Sequence, residues 1–375
     1  MLDGKRLWIG TFSKGIDIMD TETGRVTGHY RSKPNDPGSL PDNHVYSIFR
    51  TSKGEVYVGT MRGFCRWVPA DDTFHRFDEF DGIFVYDMIE DADGVLWIAT
   101  KDDGVWRMKD DVFRAYLHDA ADSSSIGSNH IIRSYIDTKG NLWFATEGCG
   151  ICRYDYDSDS FVNYGHTKGL YHHIVYGILD NGDGNLWLST TYGIVRYNPD
   201  TFETCIYTQE DGMQSNQFNY RSSMKSSDGK FWFGGINGFN CFNPESFRTT
   251  DVSPLTVIPE IVLHKKNSEI EYLKPSGKIT IGPDIASFDI SFECLSYLSP
   301  SKNRYAYKVE KLHDEWIYTN KPSVSFVDLA AGQYRIMVKS SNTDSVWNGE
   351  PACVDFVIRN PLWKTPVMKI FYILI

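Results

Sequence analysis

Residues 141–154, NLWFATEGCGICRY, decide the fold because their pattern recurs through the first two thirds of the chain. An aromatic strand centred on Trp143 leads to a short loop that ends in Gly150, and a further strand follows. The pattern occurs six times, at intervals of about 45 residues, the repeat length of a four-stranded propeller blade. Its central aromatic residues are Trp8, Tyr57, Trp97, Trp143, Trp187 and Trp232. Its loop glycines are Gly15, Gly63, Gly104, Gly150, Gly193 and Gly238.

The repeat predicts an all-β protein in which residues 1–252 form a β-propeller with about six blades present. Neighbouring blades bury both faces of each sheet, so both sets of alternating side chains are apolar or aromatic. The chain begins inside a blade, at DGKRLW (3–8), and only five inner strands precede the six aromatic strands. We therefore expect an incomplete propeller that is truncated at its N-terminus.

The repeat stops near residue 252, and a second domain is predicted over residues 253–361. Seven or so short alternating strands over this length fit an immunoglobulin-like β-sandwich. Trp316 and Tyr334 are the aromatic residues predicted for its core.

Residues 362–375 predict the start of a transmembrane helix. Trp363 and Lys364 come just before an apolar run, the order in which aromatic and basic side chains mark the surface of a bilayer. About a dozen residues of the run are present, against the ~20 that a spanning helix needs. We expect this helix to be truncated.

Composition excludes two classes of function. The net charge of −11 over 375 residues argues against nucleic-acid binding, which needs clustered Lys and Arg. Seven cysteines, an odd number spread along the chain, argue against a disulfide scaffold. Cys149 and Cys152 have the spacing of a redox motif, but that motif needs its first thiol at a helix N-terminus, and none is predicted here. In register with the other repeats, Cys152 is instead a blade-packing residue.

Several motifs together resemble a known family of sensors. The pattern D-x-x-G-x-L-W, followed by a loop glycine and R-Y, resembles the regulator-propeller repeat of hybrid two-component systems. Residues 286–347 resemble the triple-tyrosine domain that follows those propellers, and PLWKT (361–365) is similar to the segment that leads into the family's transmembrane helix. The motifs of the triple-tyrosine domain are Tyr305-Ala-Tyr307, Asp314-Glu-Trp316, LAAGQY (329–334) and Asn342 to Trp347.

The resemblance implies that the chain is the periplasmic sensing region of an inner-membrane receptor kinase. It implies an oligosaccharide ligand, a homodimer formed through the sandwich domain, and an output that controls polysaccharide-utilisation genes. The histidine kinase would lie in a cytoplasmic part outside this chain, so this region is not expected to be an enzyme. No cofactor and no nucleic-acid partner is implied.

Strand direction predicts where a ligand would bind. The loop after each aromatic strand lies on the same propeller face as the approach to the next inner strand, so the two sets of loops converge. Planar polar and aromatic side chains on that face suit sugar hydroxyls and sugar rings. The candidate binding residues are Asn43, His44, Ser47, Asp87, Asn129, His130, Arg133, His172, His173, Tyr176 and Gln217. Ser47, Asp87, Arg133 and Tyr176 are predicted to occupy equivalent positions just inside the channel.

Other interpretations of the same residues stay open. The candidates could simply cap strand ends and satisfy loop backbone. A metal site is not favoured, because His44, His130, His172 and His173 come from three blades without the spacing of a zinc enzyme. The segment DNGDG (180–184) lacks the acidic spacing of a calcium loop and is predicted to be a turn. The arginines that recur at one position of the third strand are predicted to pair with neighbouring blades; they are Arg66, Arg107, Arg153 and Arg196.

Two other functions remain as alternatives. A propeller can house a glycosidase or a polysaccharide lyase, which needs converging catalytic groups; Asp87 is the one acid that the repeat places in the inner ring. A propeller can also bind a protein partner and no small ligand.

Overall fold

The computed structural model describes residues 1–171, 173–247, 253–275, 277–297, 300–342 and 346–361. Over these ranges the chain is all-β, with five short 3₁₀ turns and no α-helix. It divides into two compact units, Met1–Phe247 and Arg248–Ile375. The predicted start of a transmembrane helix, 362–375, lies outside the described residues. Within the described ranges, no helix is long and apolar enough to cross a membrane.

The first unit is a β-propeller of six antiparallel sheets, as predicted. In chain order, the strands of each blade are here called inner, aromatic, third and outer. Blade one comprises Leu2–Asp3, Arg6–Gly10, Ile16–Asp20 and Val26–Tyr30; blade two, Val45–Arg50, Val56–Thr60, Gly63–Val68 and Thr73–Arg76; blade three, Val85–Glu90, Leu96–Thr100, Val105–Lys109 and Val112–Tyr116. Blade four comprises Ile131–Ile136, Leu142–Thr146, Ile151–Asp155 and Ser160–Tyr164; blade five, Val175–Asp180, Leu186–Thr190, Ile194–Tyr197 and Thr204–Tyr207; blade six, Phe218–Lys225, Phe231–Gly235 and Gly238–Phe242.

The first and last blades differ from the four between them. The inner strand of blade one is the two-residue segment Leu2–Asp3, where the sequence led us to expect no inner strand. Blade six pairs as a three-stranded sheet within the described residues. The inner strands of successive blades contact one another, so they line a common channel.

In blades one to five, a threonine and a glycine close the hairpin between the aromatic and third strands. The threonine hydroxyl that ends the aromatic strand donates to the carbonyl of the loop glycine, for example from Thr100 to Gly104 at 2.7 Å. The glycine has a positive φ, 68° at Gly104, which residues with a Cβ rarely adopt. The same bond recurs in blades one, two, four and five.

An aspartate at the other end of the blade explains the D-x-x-G-x-L-W motif. The indole N–H of Trp143 donates to Asp137 at 2.8 Å, while the other carboxylate oxygen of Asp137 accepts backbone N–H groups of its own turn. Trp97 and Asp91 repeat this arrangement in blade three. The aspartate thus satisfies a buried indole N–H and fixes the turn that precedes the strand.

The CGIC segment is a blade hairpin. Cys152 is fully buried in the cluster between blades three and four, which confirms its packing role. Cys149 is half-buried at the loop and packs against the same cluster; both thiols are free. A hydrogen bond between them lowers the pKa of Cys149 and raises that of Cys152.

Two of the third-strand arginines pair with the next blade, as predicted. Arg66 lies 3.0 Å from Asp111, and Arg107 lies 3.7 Å from Asp159. Arg196 instead donates to the backbone carbonyl of Phe247. The repeated position therefore serves blade packing.

The second unit is a sandwich of a four-stranded and a five-stranded sheet. Its core is mostly aliphatic and phenylalanine side chains, including Ile290, Ile336 and Phe356. The sheet orders are Ile270–Leu273, Ile261–Lys265, Ile285–Ser291, Ser323–Val327; and Lys278–Ile281, Ala352–Ile358, Gly332–Ser341, Arg304–Val309, Ile317–Thr319. Thr256–Val257 pairs separately with Glu293–Cys294.

The prediction that Trp316 lies in the sandwich core was wrong. It is half-buried, with the ammonium of Lys339 4.5 Å from its ring centroid, and the same ammonium lies 5.1 Å from the ring of Trp347. Tyr334 packs at the margin of the core, stacked on Phe356 at 5.5 Å. Trp316 pairs with a cation because its position leaves one ring face open to the surface.

Candidate ligand-binding site

Backbone hydrogen bonds join the two sets of loops on one propeller face. The N–H of Gly15 donates to Asn43, that of Gly104 to Asn129, and that of Gly193 to Asn216. Each bond links the loop after an aromatic strand to the approach of the next blade. The face on which we predicted a site is therefore a continuous surface; we call it the approach face.

The polar side chains just before the inner strands of blades two and four mainly hydrogen-bond to nearby loop groups. The Asn43 side chain accepts from the N–H of Ser32 at 2.8 Å, and Asn129 accepts from that of His118 at 2.7 Å. Asp42 accepts from both the backbone N–H and the ring Nδ1 of His44. For Asn43 and Asn129, this is the loop-capping alternative described above.

The remaining loop candidates lie at the outer margin of the approach face. His173 is exposed, and its carbonyl accepts from the N–H groups of Gly148 and Gly150. Gln217 is exposed, and its carbonyl accepts from the Gln214 side chain at 3.1 Å. His172 lies outside the described residues. Ser47 is buried in the channel wall.

A one-residue bulge near the start of the inner strand sets which side chains enter the channel. Ser47, Asp87 and Arg133 occupy the equivalent positions that were predicted. The residue equivalent to them in blade five is Gly177 rather than Tyr176. Tyr176 is the bulged residue, so the prediction from the sequence was wrong by one position in blade five.

Blade six carries a larger bulge that the sequence reading missed. Three residues separate Phe218 from the next channel position, Ser222, where the other blades have one. The insertion places Tyr220 and Arg221 against the inner strands of other blades, and Arg221 has a φ of 56°. The extra length between Phe218 and the aromatic strand was the signal in the sequence that could have indicated it.

A charged cluster fills the channel below the approach face. Oδ1 of Asp87 accepts from Arg221 at 3.0 Å and from Arg133 at 3.4 Å. Its Oδ2 accepts the backbone N–H of Ser134 at 2.9 Å. Arg221 also donates to the carbonyl of Tyr46, so blade six is joined to blades two and three across the channel. Burial lowers the pKa of Arg221, and Asp87 opposes that shift.

Aromatic side chains form a continuous arc on the approach face above this cluster. Tyr86 lies at its centre, with ring centroids 4.4 Å from Phe84, 5.5 Å from His130 and 6.3 Å from Tyr220. The arc extends in one direction through Tyr220 to Tyr176. In the other direction it runs through Tyr46 to Phe12 and His44.

Glu147 links two members of the arc. It accepts from the Tyr220 hydroxyl at 3.1 Å, and it lies 3.5 Å from Nδ1 of His130. Burial lowers the pKa of His130, although Glu147 raises it in part. Burial, and then Glu147, raises the pKa of Tyr220. Nε2 of His130 is buried without a hydrogen-bond partner.

The predicted residues therefore lie in three places. Asp87 and Arg133 pair in the channel, which Ser47 also lines, and the structure adds Arg221 there. His44, His130 and Tyr176 belong to the aromatic arc, to which the structure adds Tyr86, Tyr220 and the nearby Glu147. Asn43, Asn129, His173 and Gln217 are engaged in loop contacts at the margin of the approach face.

Among the described residues, no cluster of His, Cys, Asp or Glu is arranged to hold a metal ion. Asp180, in the DNGDG segment, accepts backbone N–H groups of Thr138 and Gly182.

Comparison with known families matches both parts of the chain. Residues 39–62 and 79–102 match the two component regulator propeller, and residues 296–359 match the Y_Y_Y domain. These matches fall on blades two and three and on the second unit.

Two relatives are similar to this protein over nearly the whole chain. "Histidine kinase P4" of Formosa agariphila is 25% identical over 367 residues; the match covers 96% of this chain and 24% of that protein. The chain thus spans about a quarter of the length of this curated relative. The solved extracellular domain of a hybrid two component system from B. thetaiotaomicron is 21% identical, with a TM-score of 0.47, over 96% of this chain and 55% of that one.

A further solved structure shares the fold. PorZ of Porphyromonas gingivalis, a component of the type-IX secretion system, is 15% identical with a TM-score of 0.53, over 96% of this chain and 50% of its own. At that identity, the likeness concerns the fold alone. The family matches confirm the resemblance predicted from the sequence: blades two and three match two component regulator propeller repeats, and the second unit matches a Y_Y_Y domain.

Proposed function

We propose that this chain is the periplasmic, ligand-sensing region of a membrane-bound hybrid two-component receptor that detects an oligosaccharide. Its kinase would lie in a cytoplasmic part beyond this chain, and its output would control polysaccharide-utilisation genes. The observation that carries the proposal is the aromatic arc of the approach face, which lies directly above a polar channel.

The arc has the chemistry that sugars need. Aromatic rings stack on the apolar faces of sugar rings, and planar polar groups hydrogen-bond to paired hydroxyls. Tyr220 is 46% exposed and Phe12 is 74% exposed, so the arc presents ring surface to solvent. The His130 ring lies 5.5 Å from that of Tyr86, and Arg133 lies 3.4 Å from Asp87 in the channel.

An enzymatic function is less well supported by the same geometry. Both carboxylate oxygens of Asp87 already accept hydrogen bonds from protein groups. Glu147 is engaged by Tyr220 and His130. Incubation with candidate glycans should release no new reducing ends, and their appearance would favour a glycosidase.

The test of ligand binding is a panel of neutral and acidic oligosaccharides screened by thermal shift, with calorimetry on those that stabilise the protein. Tyr86→Ala and Tyr220→Ala should weaken binding about tenfold or more, because each removes a stacking ring. Tyr156→Ala is the matched control, since Tyr156 is 46% exposed and contacts Asp91 at the opposite end of the blades. If no oligosaccharide binds, or if the control weakens binding equally, the proposal fails.

The proposal includes a homodimer formed through the sandwich, which would transmit the ligand signal to the membrane. The sandwich exposes large apolar side chains, among them Tyr272, Tyr318 and Val327, as an interface requires. A ligand can shift such a dimer only by binding one arrangement more tightly than the other. Sedimentation equilibrium should show a dimer whose dissociation constant changes with bound oligosaccharide; a monomer at all concentrations would contradict this part.

A further inference from the structure

We propose that the channel below the aromatic arc is an anion subsite that takes the carboxylate or sulfate group of an acidic sugar. This inference rests on the proposed function and names its ligand class. Arg133 and Arg221 would hold the anion, while Tyr86 and Tyr220 would flank the sugar ring that carries it.

The charge balance of the channel is the first observation. Two guanidinium groups share a single carboxylate oxygen, Oδ1 of Asp87. Within the part of the chain that the structure describes, Asp87 is the carboxylate within ion-pair distance of either arginine. The cluster therefore carries one excess positive charge.

That charge lies where water screens it poorly. The side chain of Asp87 is 5% exposed, that of Arg221 19% and that of Arg133 27%. An unbalanced buried charge is costly unless a counter-charge accompanies it. An anion entering from the approach face would supply that counter-charge.

Unused hydrogen-bond donors are the second observation. The Nε atoms of both Arg133 and Arg221 are buried without a partner. A guanidinium presents its donors in one plane, a geometry that matches a carboxylate or sulfate group. The two guanidinium groups meet at one oxygen of Asp87 and are therefore neighbours.

The third observation is that Arg221 is held in a constrained position. It lies in the blade-six bulge with a φ of 56°, a conformation that non-glycine residues rarely adopt. Its guanidinium is fixed by the carbonyl of Tyr46 and by Asp87, on two other blades. Backbone strain of this kind persists where the surroundings impose it, and it often marks a functional site.

The acidic residue nearest the arc does not cancel this charge. Glu147 is turned to the Tyr220 hydroxyl and to His130. Glu147 therefore pairs with members of the aromatic arc, and neither arginine is among its ion-pair partners in the described residues. A ligand could place its anionic group against the two arginines in the channel and donate a hydroxyl hydrogen bond to Glu147.

The experiment compares matched acidic and neutral sugars on the purified chain. Binding of tri-galacturonate and of galactotriose is measured by calorimetry at fixed ionic strength, together with D-glucuronate against D-glucose by thermal shift. We expect the acidic member of each pair to bind about 10- to 100-fold more tightly, the effect of charge-assisted hydrogen bonds. Inorganic sulfate and a sulfated disaccharide form a further arm that separates a sulfate ligand from a carboxylate.

Arginine variants test the assignment. Arg133→Gln should remove the preference for the acidic sugar, while Arg133→Lys should keep part of it by retaining the charge. Arg153→Gln is the control, because it removes one positive charge from the third strand of blade four. Arg221→Gln also removes the cross-channel bonds to Tyr46 and Asp87, so its circular dichroism is compared with that of the unaltered chain before binding is measured.

The outcomes separate this inference from the proposed function. Neutral oligosaccharides that bind as tightly as acidic ones, with binding lost in Tyr86→Ala and unchanged in Arg133→Gln, would overturn the anion subsite and leave the sensor. Absence of binding for every carbohydrate would overturn both. An acidic preference that survives Arg133→Gln in a folded protein would also overturn the subsite.

Discussion

The propeller and the sandwich differ in whether their tryptophan side chains lie in the core. In the propeller, Trp97 and Trp143 are 1% exposed between blades, and the indole N–H of each donates to an aspartate. In the sandwich, phenylalanine and aliphatic side chains fill the core, while Trp316 and Tyr318 lie around the ammonium of Lys339. A tryptophan in the sequence therefore predicts a buried side chain only where a repeat shows its position in the strand.

The largest expected effect contrasts two of these tryptophans. Trp143→Ala should lower the free energy of unfolding of the propeller by about 3–5 kcal/mol, because it leaves a large cavity and removes the hydrogen bond from the indole to Asp137. Trp316→Ala should lower that of the sandwich by about 1 kcal/mol or less, the scale of an exposed cation–π contact. Denaturant unfolding of both variants measures the difference, and equal losses would contradict the contrast.

The hairpin glycines give a smaller effect. Gly193 has a φ of 90°, and a Cβ there would lie 2.3 Å from the carbonyl oxygen of Tyr207. Gly193→Ala should therefore cost about 2 kcal/mol, from backbone strain and displacement of the outer strand. Gly238 holds the same repeat position in blade six with a φ of 114° and no atom within 4 Å, so Gly238→Ala should cost less. Thermal unfolding compares the two, and a larger loss at Gly238 would show that the clash is not the cause.

The smallest effect is a pH dependence from His130. Burial lowers its pKa in the folded state, so below about pH 6.5 the unfolded state binds the proton more readily and stability falls as the pH falls. The contribution of His130 to the free energy of unfolding is fully present above about pH 6.5. It declines as the pH falls from the pKa of His130 in the unfolded state to its lower pKa in the folded state. His130→Gln should flatten the slope of the free energy of unfolding between pH 7 and pH 5, relative to the unaltered chain. An unchanged slope would place the titration elsewhere.

Sequence reasoning succeeded where local rules repeat. The loop glycines, the aromatic strands and the packing role of Cys152 could be predicted because each position is read six times. The channel positions of Ser47, Asp87 and Arg133 followed from the same register.

It failed where a repeat departs from its own pattern. Tyr176 was placed one residue out of register because the inner-strand bulge cannot be seen in the pattern of apolar residues. Tyr220 and Arg221 were missed because their bulge is longer than in the other blades. Trp316 was wrongly placed in the core because the sandwich sequence has no repeat that would show which aromatic side chains face inward.

The hydrogen bond from Arg221 to Tyr46 joins residues 175 positions apart in the chain. Such a contact closes a loop that includes most of the propeller, so it can form only after the intervening blades have been synthesised. The charged cluster therefore cannot exist in any shorter fragment that ends before residue 221. The channel is completed late in the order of synthesis, and a partly synthesised chain lacks the complete charged cluster.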